Sequence, residues 1–182
     1  MRMHRLFIHG IAALIVGWCA AVSVHARQGQ SQPLVDAVRA AIQPFSQTAS
    51  AEDAGYVLFA GCVAGPQEGA MGVHYVNVPL IGDGAIDERH PEALVYEPRN
   101  GRLQLVAAEF IVIAAQWDAA HPGPDNAPPT LMGQMFHYVG SPNRYRLPPF
   151  YELHVWAEKL NPSGAFADWN PHVSCETFEP NH

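Results

Sequence analysis

Residues 93–113, ALVYEPRNGRLQLVAAEFIVI, contain two apolar runs joined by Asn100 and Gly101. Asn-Gly is the strongest short signal for a two-residue β-hairpin turn. The runs on either side are rich in Val, Ile, Leu and Phe, as expected of strands. This stretch therefore predicts that strands 93–98 and 103–113 pair antiparallel.

Shorter apolar runs at 56–59, 73–78 and 151–156 predict further strands. Ahead of them, apolar residues recur at helical spacing and predict one amphipathic helix: Leu34, Val35, Val38, Ala41 and Ile42. One helix followed by several short strands is typical of an α+β domain. We expect an N-terminal amphipathic helix packed on a curled, mainly antiparallel sheet or half-barrel, in a single domain over residues 33–182.

The first 26 residues are typical of an export signal. Arg2 and Arg5 precede an apolar stretch, and residues 24–26, Val-His-Ala, suit signal-peptide cleavage. A retained membrane anchor is the alternative, but His9 interrupts the apolar stretch. We predict a signal peptide at 1–26, a disordered lead-in at 27–32, and a periplasmic or secreted protein with no membrane contact after cleavage.

The charge balance restricts the class of partner. The chain has 10 Lys and Arg residues against 17 Asp and Glu, a net charge of −7, and Lys159 is its only lysine. Binding to phosphates needs clustered basic side chains. Nucleic acid and anionic membrane surfaces are therefore not expected as partners, whereas the composition is compatible with a small molecule.

Two cysteines, Cys62 and Cys175, would remain after cleavage of the signal peptide. In an oxidising compartment such a pair favours a disulfide bond. Closing a loop of this length stabilises a fold by about 4 kcal/mol in the chain-entropy description. A thiolate metal ligand or nucleophile is the alternative, but the pair lacks a Cys-x-x-Cys spacing.

Glu109 is the only charged residue in the apolar run 103–113. A buried carboxylate is costly unless it has a partner, and His74 and His154 lie in two other predicted strands. Two imidazoles and a carboxylate form the iron facial triad and many zinc sites with an open position. We therefore expect His74, Glu109 and His154 to bind a divalent metal, zinc or iron, in a mononuclear site of unknown reaction.

Two other interpretations of Glu109 stay open. Burial raises the pKa of a carboxyl group, which makes Glu109 a candidate catalytic acid or base even without a metal. The carboxylate can instead belong to a purely structural buried polar network, paired with one of the arginines Arg99, Arg102, Arg144 and Arg146. The sequence leaves open whether the protein is an enzyme.

Aromatic and amide side chains near the histidines favour a small-molecule pocket. Tyr75, Asn77 and Trp156 are the candidate ligand contacts, because such sites combine apolar walls with a few polar groups. A non-catalytic periplasmic ligand-binding module is therefore an alternative function, and plain core packing of the aromatic residues is the competing explanation. Of the nearby carboxylates, Glu97 is expected within reach of the site and Glu92 on the solvated surface.

Several blocks are similar to an uncharacterised family of exported bacterial proteins. They are GAMGVHYVN at 69–77, PExLxYEP at 91–98, LHVW at 153–156 and WNPxVSC at 169–175. The resemblance covers most of the chain after the signal peptide and implies a compact domain with these blocks as its recurring parts. It implies no activity, cofactor or catalytic residue.

Overall fold

The computed structural model describes residues 32–123 and 127–179. The predicted signal peptide and residues 27–31 of the predicted lead-in lie outside the described residues. The helices are α1 (Pro33–Ile42), a 3-10 helix (Gln43–Phe45), α2 (Thr48–Asp53), α3 (Val78–Asp83) and α4 (Ala114–Ala120). The strands are β1 (Val57–Ala64), β2 (Ala70–Val76), β3 (Ala93–Arg99), β4 (Arg102–Ile113), β5 (Thr130–Leu131), β6 (Gln134–Met135), β7 (His137–Val139) and β8 (Phe150–Val155).

Six of these strands form one antiparallel sheet in the order β1-β2-β3-β4-β8-β7, and β5 pairs with β6 separately. The large sheet is curled into a half-barrel. The predicted α+β class is therefore confirmed. Among the described residues, no helix is long and apolar enough to cross a membrane.

Helix α1 covers one face of this sheet, which we call the helix face. Pro33 occupies its first turn, where a missing N–H costs no hydrogen bond. One side of the helix is buried, through Leu34, Val35, Val38 and Ile42. These side chains share a core cluster with Tyr75, Leu94 and Phe110 of the sheet. Full burial contributes about 1.5–3 kcal/mol for each such apolar side chain, so packing holds the helix in place.

The Asn-Gly hairpin is present as predicted. Asn100 and Gly101 both have a positive φ, 52° and 71°, and Arg99 pairs with Arg102 across the turn. A two-residue turn of this kind matches the right-handed twist of the strands that it connects. The register of β3 and β4 near the turn is therefore set by two residues.

A β-bulge changes that register further along the hairpin. Tyr96 lies opposite Leu105, but Val95 lies opposite Ala107, so Val106 is an extra residue in β4. Because side chains alternate between the two faces, one extra residue moves every later side chain of β4 to the other face. Beyond the bulge, Ala93 faces Glu109.

The second face of the sheet, which we call the loop face, is covered by irregular chain. Two smaller apolar clusters pack there, one around Trp156 and Val173 and the other around Ile111 and Phe150. Cys62 and Cys175 form the predicted disulfide, with 5.5 Å between their Cα atoms. The bond attaches the C-terminal segment to β1 and excludes a free-thiol role for this pair.

One predicted boundary is wrong for a local reason. The strand expected over 73–78 ends at Val76, and α3 begins at Val78. The side chain of Asn77 accepts a hydrogen bond from the Leu80 N–H and so caps the helix. The cap and the proline in the first turn favour a helix over a longer strand.

Candidate metal centre

Three strands position the predicted trio on the loop face. Glu109 in β4 lies directly opposite His154 in β8. His74 in β2 is separated from Glu109 by β3, where Ala93 and Val95 occupy the same face. Because Ala93 presents only a methyl group beside Glu109, the longer side chains of His74 and Glu109 can meet across β3.

The trio is compact and buried. One ligand atom from each of His74, Glu109 and His154 can be chosen so that all lie within 4.8 Å of one another. Nε2 of His74 is 3.5 Å from Oε2 of Glu109, and the centres of the two imidazole rings are 6.2 Å apart. The exposed fraction of each residue is 3% or less. The structure therefore brings together the three residues proposed from the sequence.

Among the described residues, the imidazole nitrogens of this site make no well-formed hydrogen bond, and the Gly72 backbone offers His74 only a weak one. Within the described residues, none of the four ring nitrogens of His74 and His154 makes a hydrogen bond. The 3.5 Å contact with Glu109 is too long for a well-formed one. A buried polar atom without a partner costs about 1–3 kcal/mol. A divalent ion held by the trio would use one nitrogen of each ring, so the donor set fits a metal.

Burial keeps both histidines neutral. It lowers the pKa of His74 to about 4, while a contact with the Gly72 backbone acts more weakly in the opposite direction. Burial also lowers the pKa of His154 well below its ordinary value, and the neighbouring His74 lowers it further. Metal binding requires the neutral imidazole. Both rings are therefore in the binding form at neutral pH.

The surroundings of Glu109 favour its protonated form. Burial raises its pKa well above the ordinary value, and the charge of Glu152 and a hydrogen bond to that residue raise it further. Burial also raises the pKa of Glu152, and the hydrogen bond with Glu109 acts in the opposite direction. A hydrogen bond between two carboxyl groups requires a proton on one of them, so the pair shares one proton. A bound metal would displace the Glu109 proton, as coordination to a carboxylate does.

Glu152 is a site residue that sequence analysis did not select. It lies on β8 two residues before His154, and strand alternation, which puts both on one face, was the available signal. Its Oε2 has no hydrogen-bond partner among the described residues. His137, opposite Glu152 on β7, lies 3.2 Å from an Asp168 oxygen. Glu152 thus connects the trio with a polar pair at the surface.

Only one of the three predicted ligand contacts lies beside the trio. The Trp156 ring is 4.9 Å from the His154 ring, and its N–H donates to the Ala167 carbonyl. Tyr75 lies on the helix face, with its ring 5.3 Å from that of Tyr96. Asn77 caps α3 and donates from its amide to the Ala54 carbonyl. Tyr75 and Asn77 are therefore not brought together with the metal ligands.

The expectations for the other carboxylates are corrected. Glu92 is not on the surface, since only 2% of it is exposed, and it accepts a 2.9 Å hydrogen bond from the Ile111 N–H. Burial raises its pKa from 4.5 to about 8. Glu97 does not reach the site but forms a 2.6 Å ion pair with Lys159. Both residues act structurally, one at a backbone amide and one at a lysine.

The arginines do not supply the partner of Glu109. In the described ranges, no ion pair joins Glu109 to any of the four candidate arginines, and the ionisable side chains that it contacts are His74 and Glu152. Arg144 instead lies over the Trp169 ring at 5.4 Å. The buried arginine pair considered from the sequence is therefore not formed.

A small cavity adjoins one side of the trio. Its volume is about 20 Å³, and His74 and Glu109 form part of its wall, whereas His154 does not. The remaining wall is Phe59, Val76, Ile81, Ile111, Tyr145, Leu147 and Phe150. This cavity therefore lies on the side of His74 and Glu109.

Comparison with protein-family models, with curated proteins and with solved structures found no match for this chain. The resemblance to a family of exported bacterial proteins therefore stays a prediction.

Proposed function

We propose that this protein is an exported metal-binding domain in which His74, Glu109 and His154 hold one divalent ion, zinc or iron. The observation that carries the proposal is the set of unpartnered, neutral imidazoles facing a buried carboxyl group, with ligand atoms within 4.8 Å. The disulfide supports an oxidising compartment. We assign the protein to the periplasm or the extracellular space.

The spacing of the ligand atoms supports a tetrahedral site. Two ligand atoms that each lie about 2.1 Å from a tetrahedral zinc ion are about 3.4 Å from each other. Nε2 of His74 and Oε2 of Glu109 are 3.5 Å apart. The pair therefore needs little movement to coordinate a metal, and His154 would supply the third ligand from the strand next to Glu109.

The residues around the trio support specific roles. Glu152 would hold the carboxyl group of Glu109, and Trp156 packs against His154. Such outer contacts orient ligands and tune the metal site. A metal with three protein ligands keeps one open position and acts there as a Lewis acid. A water or small ligand at that position would lie beside Glu109, the candidate acid or base.

A purely structural network is less well supported by the contacts. Buried networks that stabilise a fold normally satisfy their donors and acceptors. Here neither ring makes a hydrogen bond within the described residues. Without an ion, burial of these nitrogens would cost free energy, which does not support a purely stabilising role.

The test is metal analysis of protein purified without a histidine tag, before and after reconstitution with zinc, iron or copper. We expect one ion per chain in the wild type and almost none in a His74→Ala, His154→Ala double variant. The matched control is His90→Ala, His172→Ala, which removes two exposed histidines and should leave the metal content unchanged. A wild type that remains metal-free after reconstitution with all three metals would refute the proposal.

A further inference from the structure

We infer that the cavity beside His74 and Glu109 is a binding site for a small uncharged molecule of about the size of dioxygen, at the open position of the metal. This inference rests on the proposed metal site, because the molecule would coordinate the ion. It extends the proposed metal site by specifying the size and charge of the molecule that would bind to the metal and the side from which that molecule would approach.

The volume of the cavity limits the size of the ligand. About 20 Å³ is available, and one water molecule needs about 10–15 Å³ by the same measure. The space therefore suits a molecule of one or two non-hydrogen atoms. Ile111 and Phe150 are buried strand residues, whereas Phe59 is 44% exposed, so a larger molecule would have to move a side chain of the wall.

The wall of the cavity favours an apolar ligand. Six of its residues are apolar: Phe59, Val76, Ile81, Ile111, Leu147 and Phe150. Tyr145 has a hydroxyl group, but this group donates to Sδ of Met71 at 3.3 Å. Only His74 and Glu109 remain as polar groups, and they are the proposed metal ligands. A bound molecule would thus be recognised by the metal and by its fit, with few hydrogen bonds.

The charges near the cavity disfavour anions. Among the described residues, no lysine or arginine lines the cavity, and the carboxyl groups whose charges act on Glu109 include Glu152, Asp168 and Glu92. Arg144 lies outside, over the Trp169 ring. An anion would lose its hydration on entering this apolar space and would gain no cationic side chain. Its attraction to the metal ion would be weakened by the carboxylate of Glu109 and by the neighbouring Glu152. A neutral molecule avoids that penalty.

The direction of approach follows from the packing around each histidine. Trp156 covers the ring of His154 at 4.9 Å, and His154 does not line the cavity. Tyr145 packs edge-on against His74, with 6.4 Å between ring centres. The cavity lies beside this pair and is also lined by Glu109 and Phe150. The open position of the metal is therefore assigned to the side away from Trp156.

The experiment uses protein loaded with ferrous iron without oxygen, and nitric oxide as the neutral diatomic probe. We expect an electron paramagnetic resonance signal of an iron–nitrosyl adduct at one per iron, and no spectral change with azide at the same concentration. Full iron content without a nitrosyl signal overturns the inference and leaves the metal site standing. Absence of bound iron overturns the inference, and the metal site is overturned with it only if zinc and copper do not bind either. Azide binding as tight as nitric oxide overturns the assigned charge preference.

Variants of the cavity wall test the location. Ile81→Phe and Leu147→Phe each fill the cavity from a different segment. Each variant should still bind iron but should bind nitric oxide at least tenfold more weakly. The control Leu160→Phe, at an exposed position, should change neither iron content nor nitric oxide binding. Unchanged nitric oxide binding in both filled variants contradicts the location.

If a filled variant does not load iron, Leu147→Ala tests the location by enlarging the cavity instead of filling it. It should admit ethyl isocyanide, which the wild type should exclude, and equal binding by both proteins contradicts the size limit.

Discussion

The imidazole of His74 and the carboxyl group of Glu109 approach to 3.5 Å although β3 lies between their strands. Glu109 in turn faces His154 on β8. One ion bound by the three side chains would therefore join β2, β4 and β8 at the centre of the sheet. The local chemistry of the site and the stability of the whole sheet are coupled through that single position.

Metal loading should raise the melting temperature. An ion that binds only the folded chain stabilises it by about 2.7 kcal/mol when its free concentration is a hundred times the Kd. Thermal melts of zinc-loaded and chelator-treated protein measure the difference. The His74→Ala, His154→Ala variant should show no such shift, and an equal shift in that variant would place the bound metal elsewhere.

Replacing Glu109 by Gln should separate a functional carboxyl group from a structural one. Gln keeps the shape and a donor for Glu152 and removes the carboxyl group whose burial raises the pKa. We expect loss of metal binding with unchanged or increased stability of the metal-free protein, measured by urea unfolding. A loss of about 3–5 kcal/mol, typical of a broken buried ion pair, would instead support the structural network.

Glu152 should act on metal affinity through Glu109. Removing an outer hydrogen-bond partner of a metal ligand typically weakens binding by about 10–100-fold. We expect Glu152→Ala to show this loss and Glu152→Gln, whose amide can still donate a hydrogen bond to the metal-bound carboxylate of Glu109, to show a smaller one. Competition with a chromophoric chelator measures both. Equal losses in the two variants would contradict an orienting hydrogen bond.

Glu92 should make stability depend on pH. Its pKa is raised from 4.5 to about 8 in the folded protein, so the folded state binds this proton more tightly than the unfolded state. Its contribution is complete below the unfolded pKa and is lost as pH rises towards 8, by at most about 1.4 kcal/mol per pH unit.

The Glu92→Gln variant tests this linkage, because Gln retains an acceptor for the Ile111 N–H without the charge. Urea unfolding between pH 5 and pH 8 should give a flatter profile for Glu92→Gln than for the wild type. Glu158→Gln, at an exposed position, should retain the wild-type profile. Identical profiles for wild type and Glu92→Gln would contradict the shifted pKa.

Loss of the disulfide should destabilise the domain. Cys62 and Cys175 are 113 residues apart, and removing a native disulfide from a small exported domain typically costs about 2–5 kcal/mol. Urea unfolding of a Cys62→Ser, Cys175→Ser double variant should show a loss of that size. Alkylation and mass spectrometry of the wild type should detect neither cysteine as a free thiol, and two labelled thiols would contradict the bond.

Local signals in the sequence explain what was predicted well. The turn at Asn100 and Gly101 depends on two residues that adopt a positive φ, and α1 depends on the spacing of apolar residues over ten positions. The position of Glu92 was predicted wrongly. Its burial depends on the Ile111 N–H of the next strand, and a contact nineteen residues away leaves no periodic signal.

The sequence by itself determined the hairpin, the amphipathic helix and the three side chains with metal-binding chemistry, because each is encoded by neighbouring residues or by residue type. Only the tertiary structure decided that they meet. Counted from the turn without a bulge, Ala93 would face Ala108, and Glu109 would point to the helix face. The extra residue Val106 turns Glu109 to the face of His74. Its neighbours are apolar on both sides, so only packing against distant strands selects that register.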